Sequence, residues 1–310
     1  MDAFHLITLE ELSPADLAEV FRAARDLKAR WARGEAGRSL DGKTLGMIFE
    51  KPSLRTRVSF EVGMVQLGGH ALYLSPQEIG LGKREAVKDV ARVLSGYVDG
   101  IMARTFAHGT VEELARHSRV PVINGLSDFS HPCQALADML TAIEEFQDVR
   151  GRTWVFVGDG NNVARSLCLL CGRMGVRFRL AAPQGYELSD KFLAEARKLA
   201  PDLAYDLVRD PRQAARGADI LYTDTWTSMG QEDERAERER VFAGYQINGD
   251  LLRLAGPRAI VMHCLPAYRG LEITDEVMDG PQSRVFQEAE NRLHAQKAVL
   301  HLLLTKPRRP

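Results

Sequence analysis

From residue 43 onward the chain alternates strand-like and helix-like segments almost without interruption, and no other feature restricts its fold so strongly. Candidate strands lie at 43–49, 70–74, 99–103 and 120–124. Between them apolar residues recur at helical spacing near 53–67, 85–97 and 110–118, and a longer helix is expected from about His131 to Gln147. This β-α-β-α order belongs to a mostly parallel sheet covered by helices on both faces. The rhythm restarts at Thr153-Trp154-Val155-Phe156-Val157. It continues through strands expected at 177–181, 204–208, 219–223 and 259–262 to a last helix from about Gln287 to Leu304. Ahead of the first strand, Ser13-Pro14-Ala15-Asp16 supplies an N-cap, a proline at N1 and an acid at N3, and opens a helix to about Trp31. The expected fold class is α/β, in two domains, each a mostly parallel sheet flanked by helices and joined by bridging helices. The restart after Asp148-Val149-Arg150-Gly151 sets their limits at 1–147 and 148–286, with the segment of about 287–310 packing back on the first. A chain of 310 residues is long enough for two such domains.

Charge and composition remove several function classes. A formal net charge of −1 gives no global basic field, so neither nucleic acid nor an anionic membrane is an expected partner. Any anion site must be built locally. No apolar run approaches the roughly 18–20 residues of a membrane span. Met1 to Glu10 has neither a basic n-region nor a long apolar stretch, and a cytoplasmic protein with reduced thiols is expected. Of the four cysteines, Cys168 and Cys171 fall inside a helical apolar pattern, where they read as packing residues, and no second pair offers zinc-ligand spacing. The charged run Glu232 to Arg240 reads as a solvated helix face.

In open α/β sheets, ligands bind beyond the carboxyl ends of the strands. Polar clusters follow six of the expected strands here. They are Ser53-Leu54-Arg55-Thr56-Arg57, Arg104, His131-Pro132-Cys133-Gln134, Gly158-Asp159-Gly160-Asn161-Asn162, Asp224 through Gly230, and His263-Cys264-Leu265-Pro266. The first places two arginines and two hydroxyls at a helix start. Orphan N–H groups and the positive end of the helix dipole already favour an anion there, and a guanidinium fork matches a phosphate edge. The plain alternative is that Ser53 only caps the helix and the arginines are solvated. Gly158-Asp159-Gly160 also opens a dinucleotide fingerprint. The third position of that pattern is Val163, where a small residue is wanted, and the next strand ends in Ala181-Ala182-Pro183-Gln184 without an acid for a ribose. A hydride-transferring enzyme is therefore the weaker reading.

Ser-x-Arg-Thr-Arg, His-Pro-Cys-Gln, Asp-x-x-x-Ser-Met-Gly and His-Cys-Leu-Pro, in this order, resemble the transcarbamoylases, and the last two resemble the branch that acts on ornithine. The likeness covers nearly the whole chain, including Gly-Asp-Gly-Asn-Asn and the closing Glu290-Asn291-Arg292. It implies two α/β domains with the active site in a cleft between them, and a homotrimer or multiple of trimers. It implies transfer of the carbamoyl group of carbamoyl phosphate to the δ-amine of L-ornithine, giving L-citrulline and phosphate for arginine biosynthesis. No metal or organic cofactor is expected.

The resemblance also implies roles. Ser53, Leu54, Arg55 and Thr56 would hold the phosphate with help from Arg104, and Arg292 would support that side. Thr56, Arg104 and His131 would donate to the carbonyl oxygen. Gln134 would hold the carbamoyl NH2 with the backbone at Cys264 or Leu265. Asn162 would meet the α-carboxylate of ornithine and Asp224 its α-ammonium, while Ser228 and Met229 belong to a closing loop. Cys264 would orient or deprotonate the δ-amine without forming an acyl-enzyme.

Two departures stand out. Leu54 replaces the usual hydroxyl residue, a net loss of about 1 kcal/mol if one hydrogen bond goes. In the loop 77–82, Gly80 falls near the position from which relatives reach a neighbouring subunit, leaving Gln77 or Lys83 to substitute. The rival readings are carbamoylation of aspartate, N-acetylornithine or putrescine, and a non-catalytic metabolite-binding relative.

Overall fold

The structure, a computed structural model, describes residues 1–35, 37–82 and 84–308. Lys83 lies outside the described residues. The chain forms two compact units, one of Met1–Leu140 with Glu290–Pro310 and one of Thr141–Ala289.

The first unit begins with α1 (Pro14–Ala32), whose start is a full capping box. The Ser13 side chain accepts from Asp16 N–H, and the Asp16 carboxylate takes the Ser13 N–H. Then come β1 (Thr44–Phe49), α2 (Leu54–Gln66), β2 (His70–Leu74), the short α3 (Pro76–Ile79), α4 (Val87–Tyr97), β3 (Gly100–Arg104), α5 (His108–His117), β4 (Val122–Leu126) and α6 (Pro132–Phe146). The four strands are parallel in the order β2-β1-β3-β4. Ile48, Ile101, Ala103 and Val122 from the sheet pack with Val90, Ala91, Val111 and Leu114 from α4 and α5.

The second unit carries β5 (Thr153–Val157), α7 (Asn162–Arg173), β6 (Arg177–Ala181), α8 (Asp190–Leu199), β7 (Tyr205–Val208), α9 (Pro211–Ala215) and β8 (Ile220–Thr223). A 3-10 turn at Glu232–Glu234 leads into α10 (Arg235–Phe242), followed by α11 (Gly249–Leu252), β9 (Ile260–His263), α12 (Asp275–Met278) and α13 (Val285–Leu304). Its five strands are parallel in the order β7-β6-β5-β8-β9. Both sheets are thus the mostly parallel, helix-covered kind that the alternation predicts. The division between the units falls within α6 and within α13, so neither helix belongs to one unit alone.

In each sheet the chain first builds outward on one side of its first strand (β2; β6 then β7) and then crosses to the other side (β3 and β4; β8 and β9), so each has a switch point at its carboxyl edge. Register then decides which strand ends are neighbours. Phe49 pairs with Arg104 in the first unit. In the second, Val157 pairs with Thr223 and Thr223 with His263. Residues just past those pairs are brought side by side by the ladder itself.

Three boundaries differ from expectation in a way that matters. β3 and β9 run one residue further, so Arg104 and His263 close their strands instead of following them. α6 begins at Pro132, because proline suits the first helical position and biases the residue before it away from the helix. His131 therefore stands just ahead of the first turn.

Candidate active site

The first cluster is built around the N-terminus of α2. Ser53 is its N-cap, and the Ser53 hydroxyl accepts from Thr56 N–H at 3.3 Å. The cap and the anion readings are compatible, since that bond satisfies only one of the first-turn donors. Leu54 is 74 % exposed and Arg55 half-buried, while Thr56 is fully buried. Gly125 in β4 explains how this turn reaches the strand ends. A Cβ at Gly125 would stand 2.5 Å from Met102 Sδ and 3.4 Å from the Thr56 methyl.

Two guanidinium groups flank the Thr56 hydroxyl, Arg104 Nη1 and Arg292 Nη2, each at 3.5 Å. Arg104 and Arg292 are both buried. Arg292 Nη1 also donates to Gln134 Oε1 at 2.7 Å, and Gln134 Nε2 donates to Asp138 Oδ1 at 2.7 Å. That chain fixes which way the Gln134 amide points, with its carbonyl toward the arginine. His131 is buried in the same cluster. Burial first, then the charges of Arg292, Arg104 and Lys51, hold it well below the ordinary histidine range. At neutral pH it is an uncharged imidazole, able to donate through one nitrogen.

Lys51 is a member that sequence reasoning missed. It lies two residues before the N-cap, is buried, and sits over the Phe106 ring at 4.6 Å. Burial, and then Arg104, push its ammonium down to about 8. Cations gathered among buried groups would attract a doubly charged anion, since charges out of water act on one another more strongly. Gln77 is exposed on α3, and Gly80 adopts a positive φ of 56°.

The second cluster occupies the ends of β5, β8 and β9. Asn161, not Asn162, is the N-cap of α7. Its Oδ1 accepts from Val163 and Ala164 N–H, and its Nδ2 donates to Asp224 Oδ2 at 2.8 Å. Asp224 Oδ1 accepts from Thr225 N–H at 2.7 Å and from Cys264 Sγ at 3.0 Å. Three donors therefore hold one buried carboxylate, which the Thr223–His263 register places beside Cys264. Ser228 and Met229 stand further along the loop. Ser228 N–H is held by Gln231 Oε1, and Met229 is exposed.

Gly158 and Gly160 serve this turn and not a nucleotide. Gly158 has φ 147°. A Cβ at Gly160 would come within 2.8–2.9 Å of backbone atoms of Tyr186, Glu187 and Leu188. The space that a dinucleotide fold leaves for pyrophosphate is filled here by the chain's own backbone. The charged run after Gly230 is also not simply solvated. Arg238 is 6 % exposed and donates to Asp159 Oδ2 at 2.8 Å, to Glu234 Oε2 at 2.8 Å and to the Trp226 carbonyl at 3.1 Å. It ties the 158–162 turn to the loop after Asp224.

The His263-Cys264-Leu265 segment is held from below. His263 N–H donates to Glu288 Oε2 at 2.9 Å, and its ring bridges Glu272 Oε1 at 3.1 Å and Leu265 N–H at 2.9 Å. Leu265 has φ 57°, a conformation that costs a side-chain-bearing residue about 1–2 kcal/mol and needs such an anchor. Asp224, His263 and Cys264 each place one potential ligand atom within 4.8 Å of the others. Both ring nitrogens of His263 are already engaged, however. The two remaining donors fall short of the three protein ligands that a zinc site uses.

Two family models match successive stretches of the chain. Residues 5–144 match the family model of the aspartate/ornithine carbamoyltransferase carbamoyl-P binding domain, and residues 150–303 match that of the Asp/Orn binding domain. The chain is 52% identical over 299 residues to an ornithine carbamoyltransferase of Methanosarcina acetivorans, covering 96% of this chain and 98% of that one. It is 50% identical over 301 residues to an anabolic ornithine carbamoyltransferase of Pyrococcus furiosus, covering 96% of each. The solved structure of a Pyrococcus furiosus ornithine carbamoyltransferase superposes with a TM-score of 0.95 at 49% identity, covering 99% of each chain.

Proposed function

The chain belongs to the aspartate/ornithine carbamoyltransferase family, and from that premise we propose that it transfers the carbamoyl group of carbamoyl phosphate to the δ-amine of L-ornithine, releasing citrulline and phosphate. Phosphate leaves as the neutral amine attacks the carbonyl carbon. The protein must therefore hold a dianion, polarise a carbonyl and present an uncharged amine. The α2 N-terminus with Ser53, Leu54 N–H, Arg55, Thr56 and Arg104 suits the first task, and its fixed cations stabilise the charge that grows on the leaving phosphate. Thr56, Arg104 and neutral His131 suit the carbonyl oxygen. Gln134, oriented by Arg292, suits the carbamoyl NH2 together with the backbone of Cys264 or Leu265.

The observation that carries ornithine over aspartate is Asp224. A buried carboxylate held by Asn161, Thr225 and Cys264 attracts an ammonium and repels a second carboxylate. In this reading Asn162, at the start of α7, takes the α-carboxylate, Cys264 orients the δ-amine, and Ser228 and Met229 belong to the loop that covers them. Helix α2 also exposes Leu54, Val58, Val62 and Val65 along one face, beside exposed Leu72 of edge strand β2. That apolar stripe supports the homotrimer, or a multiple of it, as the working form. The free thiols support the cytoplasm as its compartment, and the Pyrococcus furiosus relative named anabolic supports a biosynthetic direction.

The test offers ornithine, N-acetylornithine, putrescine and aspartate in parallel with carbamoyl phosphate and measures carbamoylated product. Turnover with ornithine alone is the expected result. Turnover with another amine keeps the mechanism and overturns the role of Asp224. Tight carbamoyl phosphate binding with no turnover would favour a non-catalytic relative.

A further inference from the structure

Residue 263 is held more firmly than packing requires. Its backbone N–H goes to Glu288 and its two ring nitrogens to Glu272 and to Leu265 N–H, and both carboxylates are fully buried. Glu272 Oε1 takes the Tyr268 N–H as well, at 2.6 Å, which locks the carboxylate in place beneath the ring. A backbone N–H can only donate, so Nδ1 must carry a lone pair, and the ring proton sits on Nε2 facing the Glu272 carboxylate. The 264–265 peptide is trans, and in a trans peptide the C=O points opposite to the N–H. Aiming Leu265 N–H at the ring therefore turns the Cys264 carbonyl away from it. The same anchor holds Cys264 where its thiol reaches Asp224.

We propose that His263 is a positioning residue for carbamoyl transfer, acting as a neutral Nε2–H imidazole braced by Glu272 that sets the direction of the Cys264 carbonyl through Leu265 N–H. The inference rests on the reading above, in which the Cys264 backbone accepts from the carbamoyl NH2. Nothing in it requires His263 to touch a substrate. Asp224 keeps Asn161 and Thr225 as donors independently of the ring, so the contact proposed for the α-ammonium of ornithine does not depend on His263.

Two near-isosteric replacements separate the two ring contacts. His263→Asn keeps an acceptor at the Nδ1 position for Leu265 N–H, whereas His263→Gln keeps a donor toward Glu272 and loses that acceptor. The expected result is that His263→Gln lowers kcat about 10²-fold, the scale of a misplaced reacting group, with ornithine KM little changed. His263→Asn should retain kcat within about fivefold, roughly 1 kcal/mol of barrier. Equal loss in both variants, or wild-type kcat in His263→Gln, overturns the proposal. Nitrogen NMR of the wild-type protein labelled at histidine gives an arm that does not depend on variants folding. Nδ1 should resonate as the bare nitrogen and Nε2 as the protonated one, and a protonated Nδ1 overturns the proposal. A wild-type protein that shows the expected tautomer but does not carbamoylate ornithine would instead sink the functional reading on which the proposal stands.

Discussion

Replacing Asp224 by asparagine removes one charge and almost no volume, and the hydrogen bonds around it make the outcome calculable. Oδ2 accepts from Asn161 Nδ2, and Oδ1 from Thr225 N–H and Cys264 Sγ. Asn161 cannot turn its amide over to help, because its Oδ1 already caps α7 by accepting from Val163 and Ala164 N–H. An asparagine at 224 keeps its carbonyl on the side with two donors and presents its NH2 to the Asn161 NH2. That donor–donor contact leaves a buried polar group unsatisfied, at a cost of about 1–3 kcal/mol. For a unit of this size the melting temperature should fall by several degrees, at about 2–4 °C per kcal/mol. Separately, the α-ammonium of ornithine loses a charge-assisted hydrogen bond, about 1.5–3 kcal/mol, so ornithine KM should rise about 10- to 100-fold while carbamoyl phosphate KM holds. Steady-state kinetics with each substrate varied reads both. The double variant Asn161→Asp, Asp224→Asn restores a donor–acceptor pair and still caps α7. It should recover most of the melting temperature without returning ornithine KM to wild type, because the charge has moved. An unchanged ornithine KM in Asp224→Asn would refute the ammonium assignment outright.

Lys51 predicts a pH dependence. Its folded-state value of about 8 lies below the roughly 10.4 of an unfolded lysine, so as pH falls from 10.4 toward 8 the unfolded chain protonates first. The group thus works against folding at neutral pH and less so in alkali. A bound dianion raises the value again. Inorganic phosphate affinity should therefore weaken as pH rises past about 8, with proton uptake on binding, and Lys51→Arg should flatten that decline. Equal slopes in both proteins would remove Lys51 from the anion's field. Arg238→Met breaks a buried pair with Asp159, whose side chain keeps some solvent contact. Stability should fall by about 2–3 kcal/mol, less than for a fully buried pair, and ornithine KM should rise; a variant with wild-type melting and kinetics would mean that Arg238 positions nothing. Arg55→Ala should lower kcat about 10²- to 10³-fold by removing leaving-group stabilisation, and a wild-type kcat would exclude Arg55 from that role.

Much of this architecture was legible because parallel sheets concentrate chemistry at one edge. Each strand announces itself by an apolar run, and the residues after it must then lie at the carboxyl edge whatever the exact strand order. That is why Ser53–Thr56, Asp224 and Cys264 could be placed just past strand ends from the sequence. Boundaries were less legible. Arg104 and His263 are polar residues inside strands, and only the ladder partners Phe49 and Thr223 extend those strands to include them. Asn161 and Asn162 are equivalent in sequence. Which one caps α7 depends on the turn before it, and that turn is set by the approach of Gly160 to residues 186–188.

Arg238 and Lys51 were illegible for a different reason. A charged side chain is read as solvated unless something shows what it meets, and their partners are distant in sequence. Asp159 is 79 residues from Arg238 and lies in a turn whose own acid looked like part of a nucleotide motif. Burial, and then the charge of Arg104, depress Lys51, and Arg104 stands at the end of β3, well away in sequence. Asp159 shows what such a partner does for the site. Burial raises its carboxyl, and the nearby charge of Asp224 adds to that, while Arg238 pulls it back. Without the guanidinium, burial and the neighbouring negative charge would push the Asp159 carboxyl higher still, and the turn would lose its charged partner. Arg238 therefore ties the 158–162 turn to the loop after Asp224 through a charged pair, although it belongs to none of the motifs by which the chain resembles its family.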